Sequence, residues 1–189
     1  NLEEIKKTRL VIKNNNALIF LTDIFLEMYP DAIFIALIRH PIALYESHKR
    51  RRTPVSNSPE KFYDYYNKMI TKINHDAKNN INYHIVKFED LVLNPLESIE
   101  KLYEYSNLDF SKLNEIRFKA KAHAKKDGSY GSDYDIGKHY WLEKNQTEAL
   151  IDSNVNSYQM ENISKKDKNI LLRLFKNQIK EMNYSLNET

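Results

Sequence analysis

Arg39 and Ser47 stand eight residues apart, and a guanidinium fork with a hydroxyl at that spacing suits a phosphate monoester. Arg39 closes the run Ala32-Ile33-Phe34-Ile35-Ala36-Leu37-Ile38, and Ser47 falls about two turns into the helix expected next. Open parallel sheets bind ligands beyond the carboxyl ends of their strands, which is where such an arginine sits. The same spacing also accommodates an ordinary exposed arginine and a solvent-facing serine. The tract His48-Lys49-Arg50-Arg51-Arg52 continues the helix. A run this short reads as a solvated face, as an anion-attracting rim, or as a patch for an acidic partner. No stacking platform or nucleic-acid module accompanies it, so nucleic acid is not the expected partner.

Glu89-Asp90 closes a later strand ahead of Asn94-Pro95. Adjacent acids there either act as catalytic carboxylates or tie down the turn through backbone hydrogen bonds, and the second reading is preferred. The six histidines (His40, His48, His75, His84, His123, His139) form no HExxH pair, so no metal site is expected. There is no GxSxG elbow. The absence of cysteine excludes disulfides, thiolate catalysis and Cys-ligated metals.

These residues must be positioned by a chain of 189 residues, 41% hydrophobic and 29% charged, which fits one folded domain over residues 1–189. Lys and Arg number 29 against 26 Asp and Glu, too mild an excess to dictate a polyanionic partner. The three glycines (Gly128, Gly131, Gly137) all come late, so no Walker loop or GxGxxG precedes them. The apolar region 17–38 is broken by Asp23, Glu27, Pro30 and Asp31, which argues against a membrane span.

Split at Pro30, that region predicts an amphipathic helix with Leu18, Leu21, Phe25 and Met28 on one face. The β-branched run 32–38 after it predicts a strand buried on both faces of a parallel sheet. Arg9-Leu10-Val11-Ile12 predicts an earlier strand, and residues 42–51 a helix. Residues 53–59 read as a surface loop. Ser58 and Pro59 then begin a long helix with the buried stripe Phe62, Tyr66, Met69, Ile70, Ile73 and Ala77. Residues 83–88 predict a strand, and Asn94-Pro95 starts a helix carrying Leu96, Ile99, Leu102 and Tyr103. Ser164 with Asp167 predicts a capping box on a last helix buried through Leu171, Leu174, Phe175, Ile179 and Met182. Alternation of this kind predicts an α/β layered sheet. Residues 119–142 resist assignment. They are polar, basic and aromatic, as functional loops often are.

Taken together, these blocks resemble the sulfotransferase family, enzymes that use 3′-phosphoadenosine 5′-phosphosulfate (PAPS). Tyr29-Pro30-Asp31-Ala32-Ile33-Phe34-Ile35-Ala36-Leu37-Ile38-Arg39-His40-Pro41, running on to Ser47, resembles the family's FPDAKFI-x-L-x-RDP…S element. Tyr83-His84-Ile85-Val86-Lys87-Phe88-Glu89-Asp90-Leu91 with Asn94-Pro95 resembles its YEDL…dP element, and Ile12-Lys13-Asn14 resembles an upstream segment containing a lysine. The resemblance covers roughly residues 9–110. It implies a three-layer P-loop-like α/β fold with a mostly parallel sheet flanked by helices.

It also implies that Arg39 and Ser47 bind the 3′-phosphate of PAPS and that Lys13 faces the transferred sulfuryl group. There a cation stabilises charge developing on the leaving phosphate. The reaction implied is in-line displacement by a hydroxyl or amine of a small-molecule, carbohydrate or peptide acceptor, without a metal. His40 and Phe88 depart from the usual Asp or Asn and Tyr. Asn15 stands where some members carry histidine, and an amide cannot be a general base. The family's glycine-containing 5′-phosphosulfate loop has no counterpart before Lys13, so the chain is expected to be N-terminally truncated. The resemblance further implies that 119–142 is a mobile loop closing over the cofactor or acceptor through Lys125, Lys126 and Lys138 among Tyr130, Tyr134 and Tyr140; a solvated, disordered loop is the alternative. The cytoplasm is the compartment favoured. The competing expectations are a non-catalytic α/β module binding an acidic partner through residues 49–52, and an inactive remnant.

Overall fold

A computed structural model describes residues 10–13, 16–147 and 152–184. A 3-10 turn, Asn16–Leu21, leads into α1 (Thr22–Met28) and β1 (Phe34–Ile38). Then come α2 (Pro41–Arg50), α3 (Pro59–Asn79), β2 (Tyr83–Lys87), α4 (Phe88–Leu93) and α5 (Pro95–Tyr105). Four strands follow: β3 (Glu115–Lys119), β4 (His123–Ala124), β5 (Tyr130–Gly131) and β6 (His139–Glu143). Two helices, α6 (Val155–Glu161) and α7 (Lys165–Glu181), close the order.

β1 and β2 are parallel, from Phe34 opposite Tyr83 to Ile38 opposite Lys87, with α2 and α3 forming the crossover between them. Parallel partners need a long connection, and these two helices supply it. Phe34, Ala36 and Ile38 look into a core shared with Phe62, Tyr66, Met69, Ile70 and Ile73 of α3 and Leu171, Phe175 and Ile179 of α7. The predicted stripes of α3 and α7 are the faces that pack on each other, with Ala77, Leu174 and Met182 partly exposed at the margins. Residues 83–87 form the expected strand, with Phe88 already opening α4.

Ser58 caps α3 by accepting the Lys61 backbone N–H at 3.2 Å, and Pro59 takes the first helical position. Ser58→Ala is expected to cost about 1 kcal/mol in urea unfolding, since it orphans that N–H. At α7 only half of the predicted box forms. Ser164 accepts the Asp167 N–H at 3.2 Å, but the Asp167 carboxylate turns away to Tyr45 and Lys49 of α2.

The β1 strand is not buried on both faces. Ile35 is 43% and Leu37 57% exposed, because none of the described helices covers that side of β1. No strand forms at residues 10–12, where Leu10, Val11 and Ile12 are exposed and unpaired among the described residues; Arg9 lies outside them. Strand propensity without a partner does not make a strand. The first helix opens as a 3-10 turn, and its expected face is not a buried one. Leu21 and Met28 are exposed while Ile19 and buried Thr22 make the contact with α3.

The unassigned stretch, with residues 115–118 before it, forms an antiparallel ribbon. β3 pairs with β6, Phe118 opposite Tyr140 and Arg117 opposite Trp141, and the short β4–β5 pair lies between them in sequence. Phe118, Tyr134 and Tyr140 cluster with ring centroids 4.8–5.5 Å apart. Gly128, at φ +79°, turns the chain from β4 to β5, a conformation glycine adopts without steric cost. Among the described residues no helix is long and apolar enough to cross a membrane.

Candidate functional site around Arg39

The first residue beyond β1 is held by its own peptide unit. The Arg39 carbonyl accepts from the Tyr66 hydroxyl at 3.0 Å, and the following N–H, of His40, donates to Glu89 Oε1 at 2.9 Å. Both polar atoms of one peptide plane are therefore fixed by side chains from α3 and α4. Pro41 then starts α2 with no N–H to satisfy. Glu89 thus takes the tying role expected of it, but on the turn after β1 and not on its own.

The Arg39 side chain lies over the Phe88 ring, its guanidinium carbon 4.2 Å from the centroid. Nε donates to Asn156 Oδ1 at 2.7 Å, and Nη2 donates to the same oxygen and to Gln159 Oε1. Asn156 Nδ2 in turn donates to Glu89 Oε1, which fixes the orientation of the amide. Among the described residues no carboxylate lies within ion-pair distance of Arg39, and Nη1 has no protein partner. Burial pulls the guanidinium down to about 10, while the more distant charges of Glu89 and Glu46 oppose the fall. It remains a cation at neutral pH.

A buried acid lies nearby. Glu46 of α2 accepts from the Tyr130 hydroxyl at 2.5 Å, and Arg50 Nε is 3.6 Å from the same oxygen. The Arg50 guanidinium also covers the Tyr130 ring at 4.2 Å, so β5 is pinned against α2. Burial, then the hydrogen bond to Glu46, raises the Tyr130 phenol. Tyr184 packs edge-on to buried His40 at 5.1 Å, and burial followed by the Glu89 charge pushes its phenol far up.

Ser47 is half-buried on α2, about 9 Å along the axis from Pro41. Its carbonyl accepts from Arg51 Nε at 2.9 Å, while its hydroxyl has no hydrogen-bond partner among the described residues. Lys13 is exposed in irregular chain, and Asn14 and Asn15 lie outside the described residues. No hydrogen bond or ion pair joins Lys13, Arg39 and Ser47 among the described residues. Sequence reasoning missed Asn156, Gln159 and Glu46, and named Tyr130 only as part of the closing loop. The i, i+3 spacing of Asn156 and Gln159 puts both amides on one helical face, and Glu46 with Arg50 is an i, i+4 pair.

The basic tract is largely engaged within the molecule. Lys49 pairs with Asp167, Arg50 with Glu46, and Arg51 with the Ser47 carbonyl. His48 is buried, its Nδ1 2.9 Å from Thr53 Oγ1 and its ring against Phe62 and Tyr65. Burial lowers the His48 imidazole and the Arg51 charge adds to this. The unfolded chain then binds a proton near its ordinary value of about 6.5 while the folded chain does not, so stability falls as pH drops below that point. A His48→Gln chain is expected to show a shallower loss of Tm between about pH 7.5 and about 5.5 than the parent. Equal slopes in thermal melts would sink this expectation.

The chain is a mixed α/β protein with a small parallel sheet and, at its carboxyl end, an arginine cation that pairs with no carboxylate among the described residues. A family model described as the sulfotransferase family matches residues 3–112, and the chain belongs to that family. The match ends before the β3–β6 ribbon and the amides of α6, while covering Arg39, Ser47 and Glu89. Searches of curated proteins and of solved structures gave no match.

Proposed function

We propose that this chain is a PAPS-dependent sulfotransferase that moves a sulfuryl group to a hydroxyl or amine acceptor, with Arg39 and Ser47 as the 3′-phosphate contacts. Within this reading the parallel β1–β2 pair is part of a larger three-layer P-loop-like sheet. The observation that carries the proposal is the Arg39 side chain. A half-buried cation with neutral amides for partners, and one nitrogen still free among the described residues, is matched to an anion that arrives from outside. The Ser47 hydroxyl, likewise unpartnered among the described residues, adds a neutral donor on the following helix.

When bound, PAPS supplies an activated sulfuryl group and a phosphate leaving group. The protein's part is alignment and charge stabilisation. The clamped Arg39–His40 peptide fixes where the guanidinium starts, and Phe88 fixes its plane. Lys13 is the proposed cation for charge developing on the leaving oxygen. A small-molecule, carbohydrate or peptide is the proposed acceptor.

Calorimetric titration of the chain with adenosine 3′,5′-bisphosphate tests the donor site directly. Saturable binding that weakens on Ser47→Ala is expected. A flat titration overturns the reading.

A further inference from the structure

Resting on that reading, we infer that Asn156 and Gln159 of α6 are positioning residues that keep the charge of Arg39 uncancelled and so set its affinity for an anion. Three facts carry this. First, the half-buried guanidinium lies within the field of the Glu89 and Glu46 carboxylates, yet amide oxygens occupy its hydrogen-bonding edge. Second, Asn156 is inserted between the two charges, its oxygen toward Arg39 and its nitrogen toward Glu89. An amide there satisfies both partners and separates them, because it donates on one side and accepts on the other. Third, the pair Asn156 and Gln159 is itself buried, at 4% exposure each, so water does not substitute for either amide.

A direct Arg39–Glu89 ion pair would satisfy the same groups and neutralise the site before any ligand came. Amides satisfy the donors while leaving a full positive charge. The selection therefore favours a phosphate or sulfate over a neutral ligand, and α6 sets it from outside the segment that carries Arg39. The requirement is electrostatic, so it separates from a purely structural role. Gln159→Glu keeps an oxygen acceptor of the same shape on Nη2 and adds only a charge.

The test follows the Arg39 Nε–Hε resonance by NMR, assigned by its loss in Arg39→Lys, during titration with inorganic phosphate and with adenosine 3′,5′-bisphosphate. In the parent chain the resonance should move with both. In Gln159→Glu it should already be displaced without anion, and phosphate affinity should fall at least about tenfold. Should Gln159→Glu fail to fold, Gln159→Met removes the acceptor without adding a charge, and its phosphate affinity should stay within about threefold of the parent; a tenfold loss there overturns the electrostatic inference. A parent resonance that phosphate leaves unmoved overturns the inference. So does a Gln159→Glu chain that titrates like the parent, even where the parent binds bisphosphate and the donor reading survives. If phosphate moves the resonance and bisphosphate binds no tighter than phosphate, the amide mechanism stands and the donor reading falls.

Discussion

An Arg39→Ala chain is expected to lose bisphosphate affinity by roughly tenfold to a hundredfold, the worth of one or two charge-assisted hydrogen bonds. The same substitution should lower stability. It strands Asn156 Oδ1 and Gln159 Oε1, two acceptors on buried residues, and an orphaned buried acceptor costs about 1–3 kcal/mol. Loss of binding in Arg39→Ala therefore needs a partner measurement. Arg39→Lys supplies it, because a lysine keeps the charge but lacks the planar fork that reaches both amides while resting on Phe88. The lysine chain should recover part of the lost stability and little of the affinity. Calorimetry with adenosine 3′,5′-bisphosphate beside urea unfolding of both variants separates the two effects. Binding by Arg39→Ala within twofold of the parent would remove Arg39 from the donor site.

What the residues disclosed in advance follows from how local each signal is. The α3 helix was legible because its serine cap, N1 proline and 3.6-residue stripe all lie within the segment itself. The β1–β2 pair was legible for the same reason, as short β-branched runs at the ends of helical stretches. Burial was legible only where a described element supplies a partner. Ile35 and Leu37 carry the same hydrophobicity as Ile38, and composition cannot say which face a neighbour will cover. The ribbon escaped notice because β3 to β6 are separated by short turns and Lys-rich intervals that mask their period of two.

At the site, Arg39 was legible from its place after a strand, and its setting was not. The amides that determine its electrostatics come more than a hundred residues later, on a seven-residue helix with no strong amphipathic pattern. Sequence alone predicts that Glu89 ties down the turn that follows it, whereas it spans from α4 to the N–H of His40. Chemistry at the end of a strand is set by whichever elements fold onto it. Those contacts are written in the sequence as ordinary asparagine, glutamine and glutamate.

The largest stability effect is expected at Phe62. Its side chain is fully buried, with ring centroids of Tyr45, His48, Tyr66 and Phe175 at 5.3, 5.6, 6.1 and 6.1 Å. It is thus the point where α2, α3 and α7 meet. Phe62→Ala removes a whole ring from a site walled by other rings, which cannot collapse into the space without giving up their edge-to-face contacts. The cost is about 3–5 kcal/mol, or a fall in Tm on the order of 6–20 °C for a chain of this size. Ile81→Ala, at a residue 92% exposed, should stay within about 0.5 kcal/mol of the parent and serves as the control. The consequence reaches the site because Phe62 supports the inner face of α2, the helix that carries Ser47 and Glu46. At temperatures where the variant remains folded, bisphosphate affinity should fall less than in Arg39→Ala, since the guanidinium and its amides are held from α6 and from the clamped peptide. A Phe62→Ala chain that loses less than about 1 kcal/mol in urea unfolding would mean that the three helices do not depend on this ring.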